Sequence, residues 1–528
     1  MTQKLGAIKK DGVVYTPRWV VELILDTVFT YQEFDENSVV LDPACGDGAF
    51  LEPLVEYVIA WAKRHSMNPT CTSELLARSV VGRDIDKRAL AVCGARLSEI
   101  AQREGIEPPV WDLLCADSLL DADRAFPSAR EFSHIVGNPP YIRIQDLDTS
   151  TRRALQSKYS YCQSGSTDIF LAFFELGQAL LASSGVLAFI TSRSYFDSAA
   201  ARKFRHSVVT SNALLKIIDF GDSQVFPEVS TYTAITVLGN ATKSNSEVAT
   251  LKIDAETRST EWESRQSTHQ FRDQRWYIVR ESDASFINFV ENRGPSLGEL
   301  CSIRVGLATL RDNVYVNQLV SPIHELQESN ECEIRTKSGE IISVETAALR
   351  RIVKVSKLQM PDEDQRLVII FPYENSAGQV IPWSDHAQAR FPKAMKYLSA
   401  QRDTLSERGH DVRTWFEYGS TQGLTTLFGK KLLVPSMTKD ATLYLWTKEN
   451  WTFYSGYGIF FNGDVEELGS RLAESDFRRY AGLVGRTLRG GWFSMSTTSL
   501  SAFTLPCDEW IELGVDISRL SSQPTLEI

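Results

Sequence analysis

The stretch IVGNPPYI, at positions 135–142, combines residue types that can hold a planar amino group. The side-chain oxygen of Asn138 and the backbone carbonyl of Pro139 can both accept hydrogen bonds from one NH2 group, and Pro139 has no N–H that would compete. Tyr141 can lie flat against a planar substrate. Two such acceptors would localise the lone pair of a conjugated amine and make it nucleophilic. Taken alone, the same residues also suit the end of a strand.

A second stretch, VVLDPACGDGAFL at positions 39–51, places an acidic residue directly before a glycine-rich turn. Gly46 and Gly48 let the backbone turn sharply and approach a ligand closely. Asp42 stands where a phosphate would be repelled, and both Asp42 and Asp47 suit a ligand end that carries an amino group or a positive charge. Glycine spacing alone is also typical of a plain strand-to-helix turn. The acidic residues disfavour a dinucleotide and favour S-adenosylmethionine as the ligand.

Acidic residues also end the next two predicted strands. Asp84, in GRDIDKRAL, stands at the tip of the second strand, where a carboxylate can accept both hydroxyls of an adenosine ribose. Asp117, in CADSLL, ends the third strand, where its carboxylate can accept from an adenine amino group. Each aspartate alone also suits a cap or a turn. Together with Asp42, they put acids at the ends of three successive strands and indicate one site for an adenosine-containing cofactor.

The elements that position these residues follow from the alternation of apolar runs. Short β-branched runs alternate with helix-like stretches over the first part of the chain, which predicts a Rossmann-like α/β fold, a parallel sheet with helices on both faces. In such open sheets, ligands bind outside the carboxyl ends of the strands, where the Gly, Asp, Asn and Pro residues fall. Strands are predicted at 38–43, 79–86, 111–118, 134–140, 185–192, 214–221 and 231–240, and helices at 50–65, 87–104, 168–182 and 199–210.

The pattern changes after residue 243. Residues 244–295 are polar and weakly periodic, which predicts a connector with room for one strand. Beyond Pro295, short β-like runs rich in aromatic residues mix with helical stretches. We therefore expect a catalytic domain over 1–243, a connector over 244–295 and a mixed α+β domain over 296–528.

The composition is that of an ordinary globular protein, with 43% hydrophobic and 23% charged residues. The formal net charge of −11 argues against a surface that binds nucleic acid everywhere, but it permits a local basic cleft. The eight cysteines include no C-x-x-C pair and have no His cluster beside them, so we expect neither a zinc site nor a disulfide framework. The sequence shows neither a signal-peptide core nor a membrane span, and a cytoplasmic protein is predicted.

The two motifs together resemble those of a known family. DPACGDGAF followed by NPPY is similar to the adenine-specific DNA methyltransferases of the TaqI type, the gamma-type order in which the cofactor motif precedes the catalytic motif. The resemblance extends over the first region. VVYTPRWVVELIL is similar to the family's N-terminal cofactor motif, STDIFLAFFELGQALLASSGVLAFI to its helix and fifth strand, and GDSQVFPEVSTYTAITVL to its last hairpin. The resemblance implies an S-adenosylmethionine-dependent methyltransferase fold in a bacterial or archaeal protein.

The resemblance also implies roles for individual residues. Asn138 and Pro139, with Pro140 completing the motif, would bind the target amino group, while Tyr141 and Phe226 would sandwich the base. No metal is implied. Phe173 would pack on the cofactor adenine, with Phe170 as its rival. The residues expected to hold S-adenosylmethionine are Thr16, Pro17, Asp42, Ala44, Gly46, Asp84, Ile85, Asp117, Ser118, Asn138 and Phe173.

The C-terminal region is expected to select the DNA sequence. RVGLATLRDNVYV resembles the start of the family's specificity domain. FRRYAGLVGRTLRGGWFSMS concentrates arginines in an acidic protein and is the best candidate for phosphate contact, although a helix with its arginines in solvent would have the same composition. The predicted DNA-binding residues are Arg478, Arg479, Arg486, Arg489 and Trp492.

The sequence thus predicts a site-specific DNA methyltransferase that transfers a methyl group from S-adenosylmethionine to N6 of a flipped adenine in double-stranded DNA. It would be the modification enzyme of a restriction-modification or phage-defence system, with a separate endonuclease as a partner. The alternatives are a protein-glutamine or RNA-adenine methyltransferase that uses the same NPPY chemistry, and a silent DNA-recognition subunit. The choice between monomer and dimer stays open.

Overall fold

The computed structural model divides the chain into two compact units, residues 1–284 and 285–528. The structure describes residues 15–127, 131–163, 167–226, 231–240, 246–271, 273, 275–322, 329–376, 379–407, 414–421, 423–424 and 427–519. The predicted strand at 231–240 lies within these ranges. Of the motifs above, residues 13–14, 166 and 227–230 lie outside them.

The first unit contains a nine-stranded sheet of order β3-β2-β1-β4-β5-β7-β6-β8-β9. Neighbouring strands from β3 to β5 are parallel, and β7 runs antiparallel to both β5 and β6. The predicted α/β fold class is therefore confirmed. The strands are β1 (Val40–Asp42), β2 (Val80–Asp84), β3 (Asp112–Cys115), β4 (Phe132–Gly137), β5 (Leu181–Ser192), β6 (Leu214–Asp219), β7 (Thr233–Gly239), β8 (Glu247–Asp254) and β9 (Ser259–Ser267).

Helices of the first unit pack apolar faces on this sheet. α1 begins after Pro17 and buries Val20, Val21, Ile24 and Val28, residues spaced at three and four positions. Asp86 caps α4 by accepting from the backbone N–H groups of the first turn, so this aspartate is a structural residue. The helices are α1 (Arg18–Tyr31), α2 (Leu51–Arg64), α3 (Pro69–Ser79), α4 (Lys87–Arg103), α5 (Ala122–Ala125), α6 (Thr149–Lys158), α7 (Phe170–Leu180) and α8 (Arg202–Thr210).

The segment that the sequence predicted as a connector contains two strands of the sheet. β8 pairs parallel with β6, and β9 pairs antiparallel with β8. Since β9 is an edge strand with most of its side chains exposed, its composition is polar and resembles that of a linker. The division between the two units accordingly falls at residues 284 and 285, inside helix α9 (Glu281–Asn292).

The second unit is a mixed α+β domain with several small sheets. Their orders are β10-β22-β18-β20, β13-β12-β11-β15-β14-β21, β16-β17 and β19-β24-β23. The strands are β10 (Ser302–Val305), β11 (Val316–Leu319), β12 (Glu331–Arg335), β13 (Ile341–Glu345), β14 (Leu349–Lys354), β15 (Leu367–Ile370), β16 (Tyr373–Ser376), β17 (Gln379–Pro382), β18 (Lys431–Pro435), β19 (Met437–Thr438), β20 (Tyr444–Trp446), β21 (Thr452–Tyr454), β22 (Gly456–Phe460), β23 (Arg486–Leu488) and β24 (Trp492–Ser494).

Short helices connect these sheets. Among the described residues of the whole chain, no helix has the length and apolar character needed to cross a membrane. The remaining helices are α10 (Leu297–Leu300), α11 (Asp312–Tyr315), α12 (Asp385–Arg390), α13 (Pro392–Ala400), α14 (Arg402–Ser406), α15 (Val465–Glu474), α16 (Phe477–Val484), α17 (Thr497–Ala502) and α18 (Cys507–Glu512).

Candidate active site

The glycine-rich loop after β1 turns around the side chain of Asp42. The backbone N–H of Ala44 donates to Asp42 Oδ1 over 3.0 Å. Gly46 adopts a φ of +54°, in the left-handed region that favours glycine, and a Cβ built there would meet nothing within 4 Å. The loop therefore leaves open space beside its backbone at the carboxyl end of the sheet.

Asp42 is a buried carboxyl group, with only 1% of the residue exposed. Burial raises its pKa to about 8, the nearby Asp84 charge adds to the rise, and the hydrogen bond from Ala44 opposes it. A Cβ on Gly137 would lie 2.8 Å from Asp42 Oδ1, so glycine at the end of β4 is needed for this position of the carboxyl group. Asp42 therefore presents a buried carboxyl group at the start of the loop.

Asp84, at the end of β2, is tied to the same loop. Its Oδ2 accepts from the backbone N–H of Gly46 over 2.8 Å, and its Oδ1 accepts from the N–H of Asp86 over 2.8 Å. Each carboxylate oxygen has a second lone pair for a ligand hydroxyl. Ile85 follows with 74% of its surface exposed, which is unusual for a large apolar residue beside a polar loop.

Asp117 and Ser118 follow β3 at the same edge of the sheet. Asp117 Oδ1 accepts from the backbone N–H groups of Leu119 and Leu120, each over 2.9 Å. Ser118 is buried, and its hydroxyl donates to the carbonyl of Pro43 over 2.6 Å. Ser118 therefore links the loops that follow β3 and β1.

Phe170 and Phe173 both lie on α7 and are both buried. The ring of Phe170 lies 6.4 Å from that of Phe174 and 6.2 Å from that of Tyr195, inside the aromatic core of the unit. Phe173 belongs to the same apolar cluster as Ala116, at the end of β3. Phe170 belongs to that cluster as well, so both phenylalanines are core residues on the side of the sheet that contains Ala116.

The NPPY motif follows β4, as the apolar run before it predicts. Asn138 Nδ2 donates to Thr16 Oγ1 over 3.1 Å, and Thr16 is 2% exposed. Thr16 stands just before α1, whose first turn begins with the carbonyl of Pro17 accepting from the N–H of Val20. The structure thus brings together two motifs that lie 122 residues apart in the chain.

Tyr141 and Phe226 lie side by side, with ring centroids 6.3 Å apart. Their planes are inclined at 75°, so the rings meet edge to face, and Phe226 is 1% exposed. A base sandwiched between two rings needs nearly parallel faces about 7 Å apart, so one ring must turn before a base can enter between them. The Tyr141 hydroxyl donates to the carbonyl of Ile190 over 3.4 Å, and burial raises its pKa well above the ordinary value.

An ion pair that the sequence reasoning missed lies at the same edge of the sheet. Arg193 Nη2 lies 3.2 Å from Asp219 Oδ2, and the two side chains are 15% and 4% exposed. Asp219 also accepts from the N–H of Gly221, and the N–H of Arg193 donates to the carbonyl of Tyr232. The pair therefore ties the two ends of the β6–β7 connection that carries Phe226. An acid directly after the apolar run LLKII was the available signal.

The predicted DNA-binding residues, all in the second unit, do not share one helix. Arg478 and Arg479 lie on α16, and the Arg479 guanidinium lies 3.8 Å from the ring centroid of Phe286. Arg486 begins β23 and Trp492 begins β24, and both are exposed. Arg489 lies in the turn between them, next to two glycines with positive φ. The cluster is therefore a helix followed by a β-hairpin.

The described residues contain no group of three or more His, Cys, Asp or Glu side chains arranged to hold a metal ion.

Comparison with known protein families finds a match over the region that contains β2, β3, β4 and the NPPY motif. Residues 80–226 match the family model of the Eco57I restriction-modification methylase. The Type II methyltransferase M.BstVI of Geobacillus stearothermophilus is 23% identical over 94% of this chain and 90% of its own length. The Type II methyltransferase M.XhoI of Xanthomonas vasicola is 22% identical over 94% and 91%.

Among solved structures, the Type IIL restriction-modification enzyme MmeI in complex with DNA has a similar fold. The TM-score is 0.58 at 12% identity, over 96% of this chain and 69% of that one. The predicted resemblance to the DNA methyltransferases of restriction-modification systems is confirmed: residues 80–226 match an Eco57I-type methylase domain, and curated relatives that span the chain are Type II methyltransferases.

Proposed function

We propose that this protein transfers a methyl group from S-adenosylmethionine to the N6 amino group of an adenine flipped out of duplex DNA. The observation that carries the proposal is the hydrogen bond of Asn138 to the buried Thr16 at the end of β4, next in sequence to Gly137, which abuts the buried Asp42, and close in sequence to Tyr141, which contacts Phe226. These contacts support a role for Asn138 as an acceptor for an NH2 group, beside the proposed cofactor residues and the aromatic pair.

The residues at the carboxyl ends of β1, β2 and β3 fit S-adenosylmethionine. Asp42 offers a buried carboxyl to an amino group, and the open space at Gly46 admits a ligand close to the backbone. Asp84 offers acceptor lone pairs to ribose hydroxyls, and the exposed Ile85 offers an apolar surface to a flat base. When bound, the cofactor supplies a methyl group on a positively charged sulfur. The remaining proposed contacts are Thr16, Pro17, Ala44, Asp117, Ser118 and Phe173.

The chain's own contribution is to bind and orient the amino group. Asn138 Oδ1 and the Pro139 carbonyl accept its two protons, which holds the nitrogen lone pair out of conjugation with the ring and fixes its direction. The consecutive rings of Pro139 and Pro140 restrict φ and so stiffen the backbone that carries this carbonyl. After methyl transfer, the nitrogen loses one proton to solvent through these acceptors. Such chemistry forms no covalent intermediate with the protein.

The aromatic pair would compensate part of the cost of flipping. Extruding a base costs a few kcal/mol, and stacking on an aromatic ring contributes about 1–3 kcal/mol per base. An ordinary tyrosine is already protonated at neutral pH, and burial raises the pKa of Tyr141 further, so its ring carries no charge against the base. In a restriction-modification setting, the product would mark host DNA against a separate endonuclease.

The experiment is transfer of a labelled methyl group from S-adenosylmethionine to unmethylated duplex DNA, RNA and a release factor in parallel, with the modified nucleoside identified by mass spectrometry. Asn138→Ala should abolish transfer and leave binding of S-adenosylhomocysteine nearly unchanged, since Asn138 acts mainly on the target. Asn240→Ala is the matched control, because Asn240 is an exposed asparagine whose amide donates to Leu181 and Ala182 at the other edge of the same sheet.

Label in N6-methyladenine of duplex DNA is the expected product. Label in protein glutamine or in RNA alone would replace the proposal with one of those substrates. Absence of transfer to any of the three, by a protein that binds the cofactor and DNA, would identify a silent recognition subunit.

A further inference from the structure

We propose that Ser223 and Arg258 are positioning residues for methyl transfer, which act through the turn that joins β8 to β9. The inference rests on the proposed function, because it assigns the contacts that hold Phe226 and the start of α1 in place. The turn consists of residues 255–258 and is called the hairpin turn below. It lies in the segment for which the sequence predicts a connector.

Ser223 joins the hairpin turn to the β6–β7 connection that carries Phe226. The Ser223 hydroxyl accepts from the backbone N–H of Ala255 over 2.9 Å and donates to the carbonyl of Phe220 over 2.6 Å. The Ser223 N–H donates to the same carbonyl over 3.0 Å. A single side chain, in the residue three positions before Phe226, therefore fixes the start of the connection and attaches it to the hairpin turn.

Apolar packing supports the same attachment. Ile253 on β8 and Ala255 in the hairpin turn are 5% and 9% exposed. Both belong to the same buried cluster as Phe220 and Phe226. The inner side of the hairpin therefore packs with the connection, although β9 itself is mostly exposed and polar.

Arg258 joins the hairpin turn to the start of α1. Its guanidinium carbon lies over the ring of Trp19, 5.7 Å from the ring centroid. Trp19 is in the first turn of α1, three residues after the buried Thr16. The Trp19 ring also meets the ring of Phe220 edge to face, with the centroids 5.8 Å apart. The hairpin turn, the start of α1 and the β6–β7 connection therefore meet around Trp19.

The backbone of Arg258 has an uncommon conformation. Its φ is +57°, in the left-handed region that disfavours a residue with a Cβ. Glycine is the residue that suits such a turn position best. Arg258 is exposed, so burial of its side chain does not account for the arginine. The contact with Trp19 is one that glycine could not make, and it gives the side chain at this position a role.

These contacts link the two parts of the proposed target site. Thr16 is hydrogen-bonded to Asn138, and Phe226 contacts Tyr141. Thr16 and Phe226 belong to distant segments of the chain, and the hairpin turn contacts both segments. Because a group that is misplaced by about 1 Å loses much of its catalytic effect, loss of either contact should lower the rate of methyl transfer more than it lowers stability.

The first test is Arg258→Gly, which removes the cation and accepts the left-handed backbone. The melting temperature should not fall, because relief of the backbone offsets the greater freedom of glycine in the unfolded chain. The single-turnover rate of methyl transfer, at saturating duplex and S-adenosylmethionine, should fall about threefold, the loss expected for an exposed cation–π contact. Arg258→Lys keeps a cation for Trp19 and should recover most of this rate. The duplex carries the sequence that the wild-type protein methylates in host DNA.

The second test is Ser223→Ala, which removes both hydrogen bonds of the hydroxyl. The single-turnover rate should fall about tenfold. The dissociation constants for the duplex and for S-adenosylhomocysteine should keep their wild-type values, because the proposed role is in the transfer step. Ser223→Thr retains a hydroxyl and should recover the rate.

Two controls separate positioning from backbone strain and from charge. Ser66→Gly makes the same backbone exchange at an exposed residue with a φ of +55°, after the end of α2. Arg265→Ala removes an exposed cation from β9 of the same hairpin. Both variants should methylate the duplex at the wild-type rate.

Three results would overturn the inference: a wild-type single-turnover rate in folded Arg258→Gly and Ser223→Ala, a rate in Arg258→Lys no higher than in Arg258→Gly, or a defect in Arg258→Gly that consists only of weaker and less salt-dependent duplex binding. The last result would identify Arg258 as a phosphate contact. Failure of the proposed function is separate, since it would appear as wild-type protein that transfers no methyl group to duplex DNA.

Discussion

The buried carboxyl group of Asp42 makes cofactor binding depend on pH in a way that can be worked out. Burial raises the pKa of Asp42 to about 8, so the free protein holds this group mostly protonated at pH 7. The amino group of S-adenosylhomocysteine is that of a free amino acid, whose neighbouring carboxylate raises its pKa above that of a peptide amino terminus, so it stays protonated through pH 8. If the two groups pair in the complex, they share one proton, as a carboxylate and an ammonium ion.

The magnitude follows from the pKa of Asp42, because the amine stays protonated over this range. At pH 8 about half of the free protein holds Asp42 as a carboxylate, whereas at pH 6 only about 1% does. Affinity should therefore be about 50-fold lower at pH 6 than at pH 8. Close to one proton per site should be released on binding at pH 6.

Calorimetry with S-adenosylhomocysteine, in buffers of different ionisation enthalpy, measures both the affinity and the number of protons released. Asp42→Asn should bind more weakly at pH 8 and release no proton at pH 6. Asp47→Asn is the control from the same loop, because Asp47 Oδ2 pairs with Arg96 over 3.0 Å and the side chain is 39% exposed. Wild-type affinity that is flat from pH 6 to 8, or proton release that persists in Asp42→Asn, would refute the pairing.

Asp42 also makes the stability of the unliganded protein depend on pH. The folded protein holds the Asp42 proton more tightly than the unfolded chain, where the pKa is the ordinary 3.8. The unliganded protein should therefore lose stability as the pH rises from that value through about 8. Asp42→Asn should remove this part of the pH dependence of the melting temperature.

Two further predictions concern the target side of the site. Phe226→Leu keeps an apolar side chain but loses the ring, so methyl transfer to a matched duplex should fall by the equivalent of about 1–3 kcal/mol, and placing an abasic site opposite the target adenine should restore much of it. Asp219→Asn leaves the guanidinium of Arg193 without its charge partner in a site where both side chains are largely buried. Urea denaturation should show a loss on the order of 3 kcal/mol. Removing a partner of an exposed pair such as Lys63–Glu104 should have a much smaller effect.

Much of the candidate site could be predicted because parallel strands end at a common edge. Asp42, Asp84 and Asn138 follow apolar runs that the sequence marks as strands, and parallel pairing of β1 with β2 and β4 puts their ends together. The left-handed φ at Gly46 is the conformation that glycine after a strand suggests. Such features depend on local chemistry and on the period of the apolar residues, both of which a single sequence contains.

The parts that could not be predicted depend on distant partners. Nothing in GRDID indicates that Asp84 accepts from the N–H of Gly46, since that hydrogen bond joins two loops 38 residues apart. The edge-to-face angle of Tyr141 and Phe226 is a packing result that follows from no motif. The sequence predicts a connector over the segment that contains β8 and β9, because the solvent-exposed edge strand β9 lacks the apolar content of a central strand.

The hydrogen bond between Thr16 and Asn138 links the segment just before α1 to the NPPY motif. Thr16 is buried just before α1, and its hydroxyl fixes the side-chain amide of Asn138. An asparagine at a strand end has a free torsion at its amide, and turning it by half a revolution would present a donor to the target instead of an acceptor. In the proposed mechanism, a ligand contact with Thr16 would also favour the amide orientation that presents an acceptor to the target. The hydrogen bond between Thr16 and Asn138 would then couple cofactor binding to target binding, although the two motifs lie far apart in sequence.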